Sequence, residues 1–594
     1  MSGVARTGVE IQTMTNARHI ISSELSTRVF QILASRPNFV KSHDHYGRKI
    51  GLCVSGGADS MALAYLLHNM HKPDDPGKKA FLTHAFIADH GVRRESAAEA
   101  SKVKGYLEAL GIETSILKLK LEVRVNKPML GFEEKARRER YRTIALAAKN
   151  LGIYDIFTGH HHDDQMETLL LRLVMNTSIN PLSLQGMSTT SAVPCCEDLL
   201  GIRSSSSLIS HSTRGAHMFG LRRNHQCDES VSHTGMQLVR PLLDYSKARI
   251  HATCDHFSIP FVNDKTNLDP TFTSRNAVRL LRSSFAIPRA LRDQSLSSMR
   301  NKMELLVQTA EQNSKQLAQS FTKFHLRSRA GMIQLSIKRL PHKLSPSELQ
   351  GFAYAMARLV EVVSAGKSEH IPTLLARRDV QMLFDLGLQT VEHIPLKESH
   401  ASRWSRPIST AINGVIFTFT RRSDVSEDHE SITIARQPMR SREVAENTLT
   451  FHVFNQDPQQ GQMYKSDWLF WDRRFWIQLT SPNLSLIKEI RIAPFTKAFR
   501  TDNTGIPGIK QVLSTRGRWK DFTRVMASEA PGEIQYTQPV LLYQGRIVAF
   551  PMLDFVVEPE TIKGLRWTSI ITRSTRSIDF LRSLGLTDNL IASQ

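Results

Sequence analysis

No stretch of 18 or more apolar residues occurs in this chain, so nothing in it reads as a membrane-spanning helix. Cysteine is scarce: Cys53, Cys195, Cys196, Cys227 and Cys254 follow no regular spacing and form no C-x-x-C pair. That speaks against a disulfide framework, a structural zinc ribbon or a thiol relay, and leaves buried or incidental thiols. Internal repeats are absent. Acids are in short supply, 56 against 77 Lys and Arg, giving +21 over 594 residues. An excess of that size attracts polyanions in a salt-dependent way, nucleic acid foremost. A matrix-targeted protein or a membrane-surface binder would share the composition.

What is present falls into blocks. Residues 1–45 are polar and mildly basic, with Arg6, Arg18, Arg28 and Arg36 against Glu10 and Glu24, and read as a flexible extension of the transit-peptide kind with a helix near 23–35. From Lys49, short apolar runs alternate with helical periods. Strands are expected at 50–54, 81–88, 113–119 and 154–158, with helices at 61–70, 96–110 and 132–151 between them. The alternation predicts an α/β domain over 46–285, a Rossmann-like parallel sheet with helices on both faces. Ligands of such sheets bind beyond the carboxyl ends of the strands. Periodicity fails over about 187–236, which is Ser-rich and reads as a disordered insertion. A helical region is expected over 286–400 and a strand-rich one over 401–594.

The motifs gather at strand ends. Ser55-Gly56-Gly57-Ala58-Asp59-Ser60 follows the first strand and opens a helix. Twin glycines let backbone N–H groups approach an anion, the helix start adds its positive end, and the serines add hydroxyls. It is neither a Walker A loop nor a G-x-G-x-x-G turn. Asp59 is a candidate Mg2+ ligand, because magnesium takes one or two carboxylates beside phosphate oxygens. After the second strand stand Asp89-His90-Gly91-Val92-Arg93, then Ser96 and Glu99 spaced as a capping box. Arg137 and Arg140 share a helix face, with Glu133 one turn before Arg137. Thr158-Gly159-His160-His161-His162-Asp163-Asp164-Gln165-Met166-Glu167-Thr168 puts three acids on the first turns of a helix, where their carboxylates can converge. The run lacks zinc spacing of the H-E-x-x-H kind.

The serine–glycine loop resembles that of the PP-loop (N-type) ATP pyrophosphatases. With D-H-G-x-R, E-x-x-A-R-x-x-R-Y, H-H-x-D-D-Q-x-E-T, Arg240-Pro241-Leu242-Leu243 and Asn263-Asp264-Lys265-Thr266-Asn267 before Arg275-Asn276 and Arg279, the chain resembles the tRNA(Ile)-lysidine synthases over about 49–281. His162 stands where that family usually has a small residue. A weaker likeness runs from Gly505 to Ala549.

The resemblance implies ATP and Mg2+ as cofactors, and L-lysine and a CAU-anticodon isoleucine tRNA as substrates. The reaction would adenylate the wobble cytidine and replace AMP by lysine at C2. It implies ATP binding by Ser55, Gly56, Gly57, Asp59, Ser60, Asp89 and His90, and catalysis by Asp59, Arg137, Arg140, His160, Asp164 and Glu167. Asp164 and Glu167 would recognise and deprotonate lysine, and His160 would meet charge near the adenylate. Arg240, Arg275 and Arg279 would touch tRNA, Asp163 would cap the helix, and 286–400 and 401–594 would be tRNA-binding. A mitochondrial location is expected, cytoplasmic in a bacterial-like host. A tRNA thiolase, an amide-forming ligase and an inactive tRNA-binding homologue are the alternative readings.

Overall fold

Ile50, Leu52, Phe86, Ile156 and Phe157 are buried on both faces of the strands that carry them, the pattern of a central parallel sheet. The computed structural model describes residues 17–34, 48–72, 75–91, 96–121, 132–174, 183–202, 207–209, 214–215, 230–232, 235–262, 273–284, 286–327, 329–338, 345–365, 408–412, 414–421, 429–453, 463–501, 507–572 and 580–581. The chain divides into two units, 1–204 with 233–306 and 205–232 with 307–594. Arg93 and the 263–267 block lie outside the described residues, as do most of 203–234 and all of 366–407.

The first unit begins with α1 (Ser22–Ala34) and continues through β1 (Arg48–Cys53), α2 (Ala58–His68), β2 (Phe81–Asp89), α3 (Ser96–Ala109), β3 (Glu113–Lys118), α4 (Phe132–Asn150), β4 (Asp155–Thr158) and α5 (His162–Val174). After β5 (Thr190–Ala192) and β6 (Gln237–Val239) come α6 (Lys247–His256), α7 (Ser274–Ser283) and α8 (Asp293–Ala318). The sheet runs β3-β2-β1-β4-β6-β5. Its first five strands are parallel, with Leu52 opposite Ala85 on one side and Phe157 on the other, and β5 joins antiparallel to β6. Strand order reverses at β1, so a crevice opens beyond the carboxyl ends of β1 and β4. The expected Rossmann-like core is present.

Two expectations change here. The described part of the 1–45 extension is docked, not flexible. Leu25, Val29, Ile32 and Leu33 recur at helical spacing and are buried in the main core, while Arg249 grips Glu24 at 2.8 Å and Ile20 N–H donates to Thr253 Oγ1 at 2.9 Å. The insertion expected at 187–236 begins as sheet: β5 occupies its start, and Val193, Cys196 and Ile202 are buried beside the sheet.

The second unit holds antiparallel sheets. One runs in the order Phe321–Arg327, Met332–Lys338, His429–Arg436, Val415–Arg421, Ile408–Ile412, and the helix Pro346–Val363 packs on it. The 286–400 segment is therefore not wholly helical: Ile333, Leu335 and Ile337 are buried at every second position and form a strand. Another sheet pairs Ser207–Ile209 from the insertion with Arg566–Thr572 near the end of the chain.

Candidate active site

Parallel pairing delivers the candidate motifs to one edge of the sheet. At the end of β1, Val54 N–H still bonds Phe86 O at 3.0 Å, and the chain then leaves the sheet. Ser60 Oγ folds the loop back on itself, accepting from Ser55 N–H at 3.2 Å and donating to Gly57 O at 3.0 Å. Gly56 has φ +87°, and a Cβ there would lie 2.5 Å from Val103 Cγ2, so only glycine fits. Gly57 begins α2 without a side-chain cap, which leaves the positive helix end to an anion.

The acid turn is built directly against this loop. A Cβ on Gly159 would stand 2.9 Å from the Asp59 carbonyl carbon and 3.0 Å from Ser60 N. Glycine thus lets the two backbones touch. His161 is buried between the motifs, with Nε2 3.5 Å from both Asp59 Oδ1 and Asp164 Oδ2. The Asp163 N–H donates to its Nδ1 at 3.2 Å, which sets the tautomer with the proton on Nε2, facing the two acids. Burial opposes its charge, but Asp59, Asp164 and Asp163 outweigh burial and raise its pKa. Desolvation likewise works against ionisation of Asp59, yet His161 and Lys247 hold it below its ordinary value. Asp59 Oδ1 is buried with the long His161 contact at 3.5 Å as its partner, which leaves the carboxylate a candidate magnesium ligand.

The three acids have different partners. Asp163 does not cap its own helix: Oδ2 accepts Lys247 N–H at 3.0 Å, at the start of α6, and Oδ1 accepts from Arg282 at 3.1 Å. Asp164 accepts His161 N–H at 3.0 Å and stays partly open to solvent. Glu167 is 2% exposed and bound by Arg279 in a fork, Nε to Oε1 at 2.9 Å and an Nη to Oε2 at 3.1 Å. Arg275 Nε lies 3.6 Å from the same carboxylate and Arg282 3.7 Å from it.

The arginines expected on tRNA are thus differently engaged. Arg275 and Arg279 turn toward Glu167 because a buried carboxylate requires compensation. Arg240 is 7% exposed at the end of β6 and donates to Ser188 O at 3.0 Å. Burial lowers its pKa, and Arg137 adds repulsion. Arg137 and Arg140 flank the Tyr141 ring at 5.1 and 5.4 Å. Their charges reach the site: beside burial, Arg140 depresses His90, and Arg240, Arg275 and Arg137 depress His160. His160 falls to about 4, so it is neutral near pH 7, with Nδ1 2.8 Å from Thr158 Oγ1. Asp89 shapes its turn, Oδ1 accepting from Ser96 Oγ at 2.6 Å and Gly91 N–H at 3.0 Å. Those bonds leave His90, half-buried, as the freer side chain of the pair.

Three contributors escaped the sequence reading. Lys247 Nζ lies 4.0 Å from Asp59 Oδ2. Gln165 is fully buried and pins Met187 through both N–H and C=O, at 2.6 and 2.7 Å. Arg282 lies one turn beyond Arg279, a spacing that would have flagged it. His162 faces α8, its Nε2 3.4 Å from Ser297 Oγ.

Residues 26–283 match the PP-loop domain family. A tRNA(Ile)-lysidine synthase of Bradyrhizobium is 34% identical over 235 residues, 40% of this chain and 52% of that protein. One of Rhodopseudomonas palustris is 33% identical over 224 residues, 38% and 51%. A probable tRNA(Ile)-lysidine synthase of Schizosaccharomyces pombe is 23% identical over 523 residues, 87% of this chain and 94% of that protein. The chain spans about half the length of the first bacterial relatives it matches.

Proposed function

We propose, from the match of residues 26–283 to the PP-loop domain family and from the tRNA(Ile)-lysidine synthases among the curated relatives, that this protein ligates lysine to C2 of the wobble cytidine of a CAU-anticodon isoleucine tRNA. The observation that supports the reading is the close approach of Gly159 to the Asp59 backbone, which brings the Ser55–Ser60 loop and the acid turn together. Phosphates of ATP would rest on the Ser55–Ser60 loop and the start of α2, with Mg2+ held by Asp59. The ion would neutralise charge on the phosphates as AMP is transferred to the cytidine oxygen.

Attack by lysine requires an ammonium to be gripped and then deprotonated. Asp164 suits that work better than Glu167, because both oxygens of Glu167 already accept from guanidinium groups. Glu167 anchors α5 to α7. Neutral His160, with Arg137 close by, faces the adenylate and can donate a hydrogen bond to developing negative charge. A thiolase reading draws little support from Cys53, Cys196 and Cys254. Burial pushes Cys53, Cys196 and Cys254 up to about 12, where a thiolate is rare near neutral pH.

The test is incorporation of radiolabelled lysine into the isoleucine tRNA transcript by purified protein, with AMP released. Asp164→Asn is expected to cut incorporation by about 10²- to 10⁴-fold. Its adenylation of the tRNA should persist. Failure of the unaltered protein to form lysidine, or full activity in Asp164→Asn, would remove the proposal or the assigned base respectively.

A further inference from the structure

Among the described residues, His162, Asp163 and Asp293 offer ligand atoms that all lie within 4.8 Å of one another, a grouping that could hold a cation. The cation is internal. Arg282 extends from α7 with its side chain 11% exposed and takes both acids at once. Its Nε and one Nη reach Asp293 Oδ1 and Oδ2 at 3.1 and 2.7 Å. The same Nη bonds Asp163 Oδ1 at 3.1 Å, and the other reaches the Asp163 carbonyl oxygen at 3.3 Å.

We propose that Arg282 is a positioning residue for the acid turn, fixing Asp163 between α6 and α8 and thereby aiming the neighbouring Asp164 at the incoming amine. It rests on the reading of the acid turn as the amine site. Three elements converge on Asp163: the first N–H of α6, the guanidinium of α7, and through that guanidinium the first residue of α8. Asp163 and Asp164 are consecutive, and the bond from Arg282 to the Asp163 carbonyl oxygen holds the backbone they share, so a shift there moves Asp164 as well. A planar guanidinium holds a carboxylate in a fixed fork, which a hydrated and exchangeable metal ion or a lysine ammonium would not. The donors of Arg282 point at protein acceptors and its side chain is nearly covered, so it acts through Asp163 and not on a substrate. Misplacement of a reacting group by about 1 Å can cost about 10²-fold in rate.

The test uses the full chain with ATP, lysine and the tRNA transcript. Arg282→Gln is expected to lower kcat for lysidine formation by about 10²-fold while KM for ATP changes less than about twofold. Arg282→Lys should recover only part of the loss. Asp293 is roughly half exposed, so Asp293→Asn should fold normally and lower kcat in the same direction by about tenfold. The double variant should be no slower than Arg282→Gln, because both changes break one linkage. Unchanged kcat in Asp293→Asn and Arg282→Gln, or additive losses in the double variant, would overturn the inference. So would a loss matched by a fall in the folded fraction seen by circular dichroism. Absence of lysidine with the unaltered chain would instead overturn the functional reading on which this rests.

Discussion

Each acid of the turn is held by a different partner. Asp163 answers to Arg282 and α6, Glu167 to Arg279, and Asp164 to His161. The histidines diverge in the same way. Burial and nearby arginines drive His160 down to about 4, whereas the acids around His161 raise it. For His160 the unfolded chain binds a proton below about 6.5 while the folded one does not until about 4, so its contribution to stability is full above 6.5 and is lost as pH falls toward 4. The contribution of His161 has the opposite sign: present at low pH, and lost as pH rises through its raised folded value. Urea unfolding at pH 5 and pH 7 should therefore find His160→Gln less acid-sensitive than the unaltered protein, by at most about 1.4 kcal/mol per pH unit. Equal acid sensitivity in the two proteins would contradict the assignment. The residue types of this turn were legible in the sequence because spacing on a helix is local. Their partners were not, since Arg279 and Arg282 arrive from a helix more than a hundred positions later.

At the level of elements, the α/β alternation of 48–158 was legible because buried parallel strands are short apolar runs and their helices end at glycines such as Gly111 and Gly152. Less was legible where strands are brief or pair far away. The three residues of β5 carry no periodicity, and a helix-rich expectation hid the Phe321–Arg327 and Met332–Lys338 hairpin. Docking of α1 could have been read from Leu25, Val29, Ile32 and Leu33. The decisive element-to-element feature is the seam at Gly159. Gly159→Ala should push the β4–α5 turn off the start of α2, because the added carbon meets backbone and not a side chain that can rotate away. Expected is a loss of lysidine formation of about 10²-fold with stability reduced by about 1–3 kcal/mol. A Gly159→Ala protein with unaltered turnover would separate the two turns as functional partners.

On the scale of the whole molecule, the net charge of +21 gives the tRNA proposal its physical basis. Binding of the transcript should weaken steeply with salt, the slope of log K against log salt matching about six or more neutralised phosphates. Fluorescence anisotropy between about 50 and 200 mM salt would measure it. A flat response would remove electrostatic grip on nucleic acid from the account.

Ser207–Ile209 and Ser230–Ser232 belong to the second unit, although the chain then returns to the first before coming back at Val307. Their partner strand, Arg566–Thr572, is translated more than three hundred residues later. At ~5–20 residues per second, the early strands wait on the order of tens of seconds with open edges. During synthesis the α/β unit can complete its own sheet while that segment is still waiting for its mate, and truncation before Arg566 would leave that segment a template for pairing with other chains.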